Sequence, residues 1–227
     1  GVWRLRVSSA NGTACKLATS NGTNIAYRAL ADIRNRVWIT NRYEPEKLSA
    51  DNIYDSAVSD DQGGYLDLPF RGVTCYGKYG DDLLIFGDNR TYLLLGDTPQ
   101  DFRWPCLSRR VGCTAPRSYV YAEEQAFWYA NGHFWTFDGQ RLYAIDQPHG
   151  NGGSDIRPLL DSLSSTYTPN IVGEYDPKYR YILWSYTESG ATNNRTFVYD
   201  LKTNSFIRFS GINAFRWRTR VAENDVL

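Results

Sequence analysis

Two short apolar runs split by a polar turn constrain this chain more than any other feature. Leu83-Leu84-Ile85-Phe86 is followed by Gly87-Asp88-Asn89-Arg90 and then by Thr91-Tyr92-Leu93-Leu94-Leu95. Runs of β-formers on either side of a Gly/Asn turn predict a buried β-hairpin. Gly96-Asp97-Thr98-Pro99 closes the second run, because proline donates no ladder hydrogen bond. Looser copies flank it. Residues 36–40 read as a strand, with polar excursions at 44–48 and 60–64. Residues 126–130, 133–137 and 141–145 read as a three-strand meander turning at Asn131-Gly132 and Asp138-Gly139. Residues 179–186, 195–200 and 205–209 repeat the pattern, and the turns at Asn11-Gly12 and Asn21-Gly22 predict short strands within the first thirty residues.

The leading strands near Val37, Leu84, Phe127 and Leu183 recur about every 40 to 55 residues, the spacing of propeller blades. The expected fold is therefore all-β: a β-propeller-like ring of short antiparallel blades with one short helix. A β chain of 227 residues commonly stays one domain, so 1–227 is expected to be a single propeller-like domain. With no Met anywhere, it is expected to be a processed product or part of a longer polypeptide. The helix is expected from Ser154 onward, where Ile156, Leu159, Leu160 and Leu163 fall at helical spacing behind a Ser154 or Asp155 cap. Core packing is its expected role.

Composition excludes several function classes. Lys plus Arg and Asp plus Glu both number 25, so no global field draws the chain to nucleic acid or a membrane surface. No apolar run is long enough to span a bilayer. Cys15, Cys75, Cys106 and Cys113 form no CxxC pair, and two His residues give them little company, which argues against a zinc site. A Cys106–Cys113 disulfide and reduced, buried thiols both fit the spacing, the thiols better.

Nucleophilic catalysis needs a base beside Ser or Cys. His133 falls inside an expected strand and His149 in a Pro/Gly/Asn loop, and no Gly-x-Ser-x-Gly elbow is present. The Asp60-Asp61 and Asp81-Asp82 pairs sit in turns, where neighbouring carboxyls do not acquire the separated pKa values of an acid/base pair. No phosphate-cradling Gly loop or calcium loop appears. The expectation is a non-enzymatic protein without a cofactor or metal.

Phe215-Arg216-Trp217-Arg218-Thr219-Arg220-Val221 alternates sharply. As a strand it puts Arg216, Arg218 and Arg220 on one face and backs them with Trp217 on the other. Trp3-Arg4-Leu5-Arg6-Val7 has the same pattern. Arg4, Arg6, Arg216, Trp217, Arg218 and Arg220 are the candidate interface, either a basic strip for an acidic partner or charged edge strands that discourage aggregation. Pairing of the two ends would close the ring.

The Gly96-Asp97-x-Pro99-x-Asp101-Phe102 segment and the Val111-Gly112-Cys113-Thr114-Ala115-Pro116-Arg117-Ser118 run, followed by Trp128-Tyr129 and Phe137-Asp138-Gly139, resemble virion structural proteins of tailed phages. In that family a β-propeller lies in the tail nozzle or hub. The resemblance covers residues 31 to 210 and implies no catalytic residues. It implies a structural virion protein, assembled in the host cytoplasm. Its partners would be copies of itself and other tail proteins around a DNA exit channel, with DNA passing and not specifically bound. The alternative is a propeller binding module whose loop Trp and Tyr residues dock a glycan or a host surface receptor.

Overall fold

The computed structural model describes residues 73–96, 102–147, 156–190 and 192–211 in full. It also describes the backbone of strands at 17–18, 24–25, 27–33, 36–41, 47–50, 64–67, 219–220 and 225–226. The chain divides into two compact units, Gly1–Tyr76 and Gly77–Leu227.

In the first unit β1 (Leu17–Ala18) pairs with β2 (Asn24–Ile25) across the segment holding Asn21-Gly22. A four-stranded antiparallel meander then runs β3 (Tyr27–Ile33), β4 (Arg36–Asn41), β5 (Lys47–Ala50) and β6 (Gly64–Asp67). The strand expected at 36–40 is β4. The polar excursion at 44–48 is shorter than expected, because Lys47 and Leu48 already belong to β5, where Leu48 pairs with Thr40 and Leu66. Gly64, expected in a loop, opens β6.

β7 (Val73–Tyr79) begins in the first unit and ends in the second. It opens the meander completed by β8 (Asp82–Gly87), β9 (Thr91–Leu94) and β10 (Cys106–Ser108). The hairpin that most constrained the sequence is β8–β9, with Leu84 opposite Leu93 and Phe86 opposite Thr91. The next meander is β11 (Val120–Ala122), β12 (Gln125–Ala130), β13 (His133–Phe137) and β14 (Leu142–Ala144). The last is β15 (Val172–Asp176), β16 (Tyr181–Tyr186), β17 (Arg195–Asp200) and β18 (Ser205–Ser210). Four consecutive four-stranded meanders, each in plain sequence order, have the strand order of propeller blades, and the fold is all-β and propeller-like.

In the second, third and fourth sheets both faces of the inner strands are covered, which explains why their sequences run apolar without alternation. In β12, Ala126 through Ala130 are all buried. Trp128 packs on Phe86 of β8 at 5.0 Å between ring centroids, while Phe127, one residue back and on the other face, meets Tyr199 of β17 at 6.2 Å. The third sheet is thus held between the second and the fourth. Between third and fourth sheets lies an apolar cluster that includes Phe127, Tyr129, Phe134, Trp184, Phe197 and Phe206.

The helix α1 (Arg157–Asp161) forms where expected and is brief. Ile156 and Leu160 are buried in this cluster, with Leu159 and Leu163 packed against it. The residue preceding the helix is Ile156, which offers no side-chain cap. The expected caps Ser154 and Asp155 lie outside the described residues; Pro158 in the first turn, with its fixed φ, favours the helix start.

Cys106 and Cys113 are free thiols, exposed and buried respectively, and the disulfide their spacing allows is not formed. Each donates to a nearby carbonyl, Cys106 to Ser108 and Cys113 to Ala115, both at 3.3 Å.

Candidate functional site

A meander puts its first and third turns at one end of the sheet and its second turn at the other. In the third sheet the first and third turns are Glu123-Glu124 and Asp138–Arg141; in the fourth they are Pro177–Arg180 and Leu201–Asn204. These turns gather polar and aromatic side chains at one rim.

The β13–β14 turn is built by Asp138. Its Oδ1 accepts the backbone N–H groups of Gln140 at 2.9 Å and Arg141 at 2.7 Å, and Gly139 supplies the left-handed residue at φ 92°. The Arg141 and then the Gln140 backbone N–H groups hold the Asp138 carboxyl below its ordinary range. A groove of about 600 Å³ opens beside this turn, lined by Asp138, Arg141, Leu142 and Tyr143. Leu142 pairs with Phe137 and Tyr143 with Thr136, so successive groove residues point to opposite faces of the strand. Burial first, and then the Asp138 charge, push the Tyr143 phenol up. Tyr79 closes the neighbouring side: its ring lies 5.0 Å from Phe137 and 5.6 Å, edge-on, from Tyr121. A carboxylate, a guanidinium and several phenols thus share one rim.

A clamp ties the same rim together between the third and fourth sheets. Glu123, at φ 49°, takes the Tyr175 hydroxyl on Oε1 at 2.8 Å. The Arg180 fork also reaches it, Nε to Oε1 at 2.5 Å and Nη2 to Oε2. The Arg180 hydrogen bond is the main cause that lowers the Glu123 carboxyl from its ordinary 4.5. A carboxylate depressed in the folded state stabilises above its unfolded pKa, and that contribution disappears as pH falls through the folded value. Glu123→Gln is therefore expected to cost under about 1 kcal/mol at neutral pH, given the exposure of the pair. The gap to the parent should shrink to nothing as pH drops well below the ordinary carboxyl range. Urea unfolding of both proteins across acid pH checks this; a gap that stays constant with pH would show that the clamp's charge contributes nothing. Beside it, Tyr179 is half exposed, stacks on Tyr181 at 5.7 Å, and carries the Lys178 ammonium 5.3 Å above its ring.

The opposite end of the third sheet carries a group that sequence reasoning missed. His133 Nδ1 lies 2.9 Å from Asp146 Oδ2, and the Phe134 N–H donates to Oδ1 at 3.0 Å. Arg157 Nη1 comes within 2.8 Å of both ring nitrogens and 3.7 Å of the buried Asp146 carboxylate. With Nδ1–H donated to Asp146, Nε2 is left to accept from Arg157, so both nitrogens of the ring are engaged. The network pins the exit of β14 and the start of α1 to the start of β13. Thirteen residues separate His133 from Asp146, and only the meander brings them together.

Of the interface expected from sequence, Arg4, Arg6, Arg216, Trp217 and Arg218 lie outside the described residues, as does His149. Arg220 is placed by its backbone: β19 (Thr219–Arg220) pairs with β20 (Asp225–Val226), with Arg220 opposite Asp225. Pairing with residues 3–7 also falls outside the described residues.

No family model matches this chain, and no curated protein matches it. Among solved structures it is similar to the extracellular domain of a protein of B. thetaiotaomicron described as a one-component system, at TM-score 0.55 and 12% identity. That likeness covers 91% of this chain and 25% of the other. An extracellular domain from the same organism, described as a hybrid two-component system, matches at TM-score 0.54 and 12% identity over 91% and 25%. YCF48 bound to a D1 peptide matches at TM-score 0.49 and 9% identity over 86% and 56%. At these identities the likeness shows the fold alone, and this chain spans a quarter of the length of the first two. It also corrects the resemblance to tailed-phage nozzle and hub proteins, because the similar structures are extracellular domains of a bacterium. The distinctive residues 111–118 have a packing explanation instead. They cross from the second sheet to the third, where Gly112, Cys113 and Ser118 make the contacts that join the sheets.

Proposed function

We propose that this chain is a non-enzymatic binding module, a propeller-like scaffold whose rim takes a saccharide. The groove beside the β13–β14 turn carries this reading. Asp138 accepts hydroxyl protons, Arg141 donates to ring or hydroxyl oxygens, and the Tyr143 ring, on the same face of the strand as Arg141, offers apolar surface to the C–H face of a sugar. The turn is rigid before any ligand arrives, because Asp138 is fixed by two backbone N–H groups, and a preorganised site loses less entropy on binding. The extracellular setting of the similar B. thetaiotaomicron domains suits a surface that meets ligands outside a cell.

A glycan array followed by calorimetry tests the reading. Arg141→Ala and Tyr143→Ala are each expected to weaken the best array ligand about tenfold or more, the loss of one charge-assisted hydrogen bond or one stacked ring. Absence of any array ligand, or variants that bind as tightly as the parent, would remove the saccharide reading.

A further inference from the structure

The outer corner of the fourth sheet, at the end opposite the saccharide groove, holds two guanidinium groups and one carboxylate. Arg208 Nη2 donates to Glu188 Oε1 at 2.5 Å. Arg195 Nε lies 3.6 Å from Glu188 Oε2, too long for a hydrogen bond, and is buried with no hydrogen-bond partner. Tyr186 stands opposite Arg195 in the strand register, is 2% exposed, and its hydroxyl is buried beside the Arg208 guanidinium. Its ring is fixed by stacking on Phe197 at 4.3 Å, and Phe197 pairs with Arg208 across the sheet. The Arg195 Nε–H is thus an orphaned donor, and buried donors are ordinarily satisfied.

Glu188 answers only part of this demand. One carboxylate faces two cations and leaves one positive charge over. Its side chain is 41% exposed, and the Arg195 and Arg208 side chains are 33% and 34% exposed, so solvent reaches all three. The loop carrying Glu188 is held independently of it. Thr187 Oγ1 donates to the Ser189 carbonyl at 2.7 Å and accepts the Ser189 N–H at 3.2 Å. The Glu188 side chain can therefore swing out while its turn stays in place.

We infer that Arg195 and Arg208 form a binding site for a ligand carboxylate, which Glu188 occupies as an internal stand-in. A planar carboxylate accepts from two guanidinium forks. A ligand carboxylate displaces Glu188, accepts from Arg208, and comes close enough to accept from Arg195 Nε as well. No bond is made or broken. Sugar acids and acidic amino acids both supply the group. This site is separate from the groove at the other rim and does not depend on it.

Glu188→Gln tests the inference, since it removes the internal competitor and leaves the shape. Titration calorimetry of the full chain with sodium glucuronate, and separately with N-acetylglutamate, is expected to show at least one of them binding Glu188→Gln about tenfold more tightly than the parent. Glucose, which lacks the carboxylate, is expected not to bind here. Adding Arg208→Ala to Glu188→Gln should abolish the gain. If that double variant melts early, Arg208→Lys replaces it and should still lose most of the gain, because an ammonium lacks the fork. Glucuronate alone assigns sugar acids, N-acetylglutamate alone assigns acidic amino acids, and equal binding assigns the bare carboxylate. No gain in Glu188→Gln with either acid, or a gain that survives removal of the Arg208 guanidinium, would overturn the site.

Discussion

Phe134→Ala is expected to lower the unfolding free energy by about 4 kcal/mol, within the range measured for aromatic truncations in close-packed cores. Phe134 is fully buried, and its ring stacks on Trp184 at 4.2 Å and on Phe206 at 5.7 Å. It also meets Phe197 at 5.7 Å and Tyr129 at 5.3 Å, both edge to face. Four aromatic neighbours on two sheets cannot all move into the vacated space, because each is itself fixed. Trp184 donates its indole N–H to the Ser118 carbonyl at 2.9 Å, and Phe197 is stacked under Tyr186. The loss is therefore transfer free energy plus a cavity that stays open. The backbone bonds of Phe134, to Asp146 Oδ1 and from the Ile145 N–H at 2.9 Å, survive the substitution, so the effect isolates the ring. Phe209→Ala is the comparison: that side chain is 41% exposed and its removal should stay within about 0.5 kcal/mol. Urea unfolding of the parent and both variants gives the difference from the midpoints. A Phe134→Ala chain within about 1 kcal/mol of the parent would mean the sheets re-pack freely across this seam, contrary to the density of protein interiors.

The same packing decides what the sequence disclosed. β8, β9, β12, β13, β16, β17 and β18 were legible because each is an apolar run ended by a turn residue with a local reason to be there, such as Asp138, Asn131-Gly132 or Asn204 at φ 53°. The first strands of the third and fourth sheets, β11 and β15, were not read. Val120–Ala122 is three residues long, and Val172–Asp176 contains a glycine and a glutamate, so neither shows a period. Both are defined by their partners, Val120 by Phe127 and Val172 by Ser185, and pairing at that distance leaves no local mark.

The candidate sites follow the same rule. Asp138 and Gly139 could be seen as a turn, but the groove beside them exists only because β14 brings Leu142 and Tyr143 past it. The Glu188, Arg195, Arg208 and Tyr186 group joins three strands and a loop, and its residues lie up to 22 positions apart in sequence. Arginine-rich residues at 216–220 drew notice because their charges alternate within one short run. Arg195 stands singly between Asn194 and Thr196 and Arg208 singly between Ile207 and Phe209, so nothing local marks them as a pair.

Gly112→Ala is expected to be as damaging as the loss of a core ring, for the opposite reason. A Cβ at residue 112 would lie 1.9 Å from the Gly87 carbonyl oxygen, 2.5 Å from the Asp88 carbonyl carbon and 2.7 Å from the Asn89 nitrogen. All three are backbone atoms of the β8–β9 turn, so no side chain can rotate away. That turn is itself fixed, because the Gly87 N–H bonds to the Arg90 carbonyl at 2.9 Å and the Cys113 N–H donates to the Gly87 carbonyl at 3.0 Å. To admit one methyl, the connection must lift away from the hairpin, which breaks the Cys113 bond and draws the Gly112 carbonyl from the Trp128 indole N–H, now 2.8 Å away. Thr91 Oγ1, which donates to the Val111 carbonyl at 2.8 Å from a fully buried position, would lose its partner as well. Overpacking alone costs about 1–3 kcal/mol. Each buried group left unpaired adds about 1–3 kcal/mol. A total of about 4 kcal/mol is expected, with the second and third sheets loosened at the Phe86–Trp128 contact. Urea unfolding measures the first quantity and the fluorescence of the parent and variant reports the second, since Trp128 is fully buried in the parent and would meet water in the variant. A Gly112→Ala chain as stable as the parent would mean that the 111–118 connection bends without cost. The close approach at Gly112 would then not be what holds the two sheets in register.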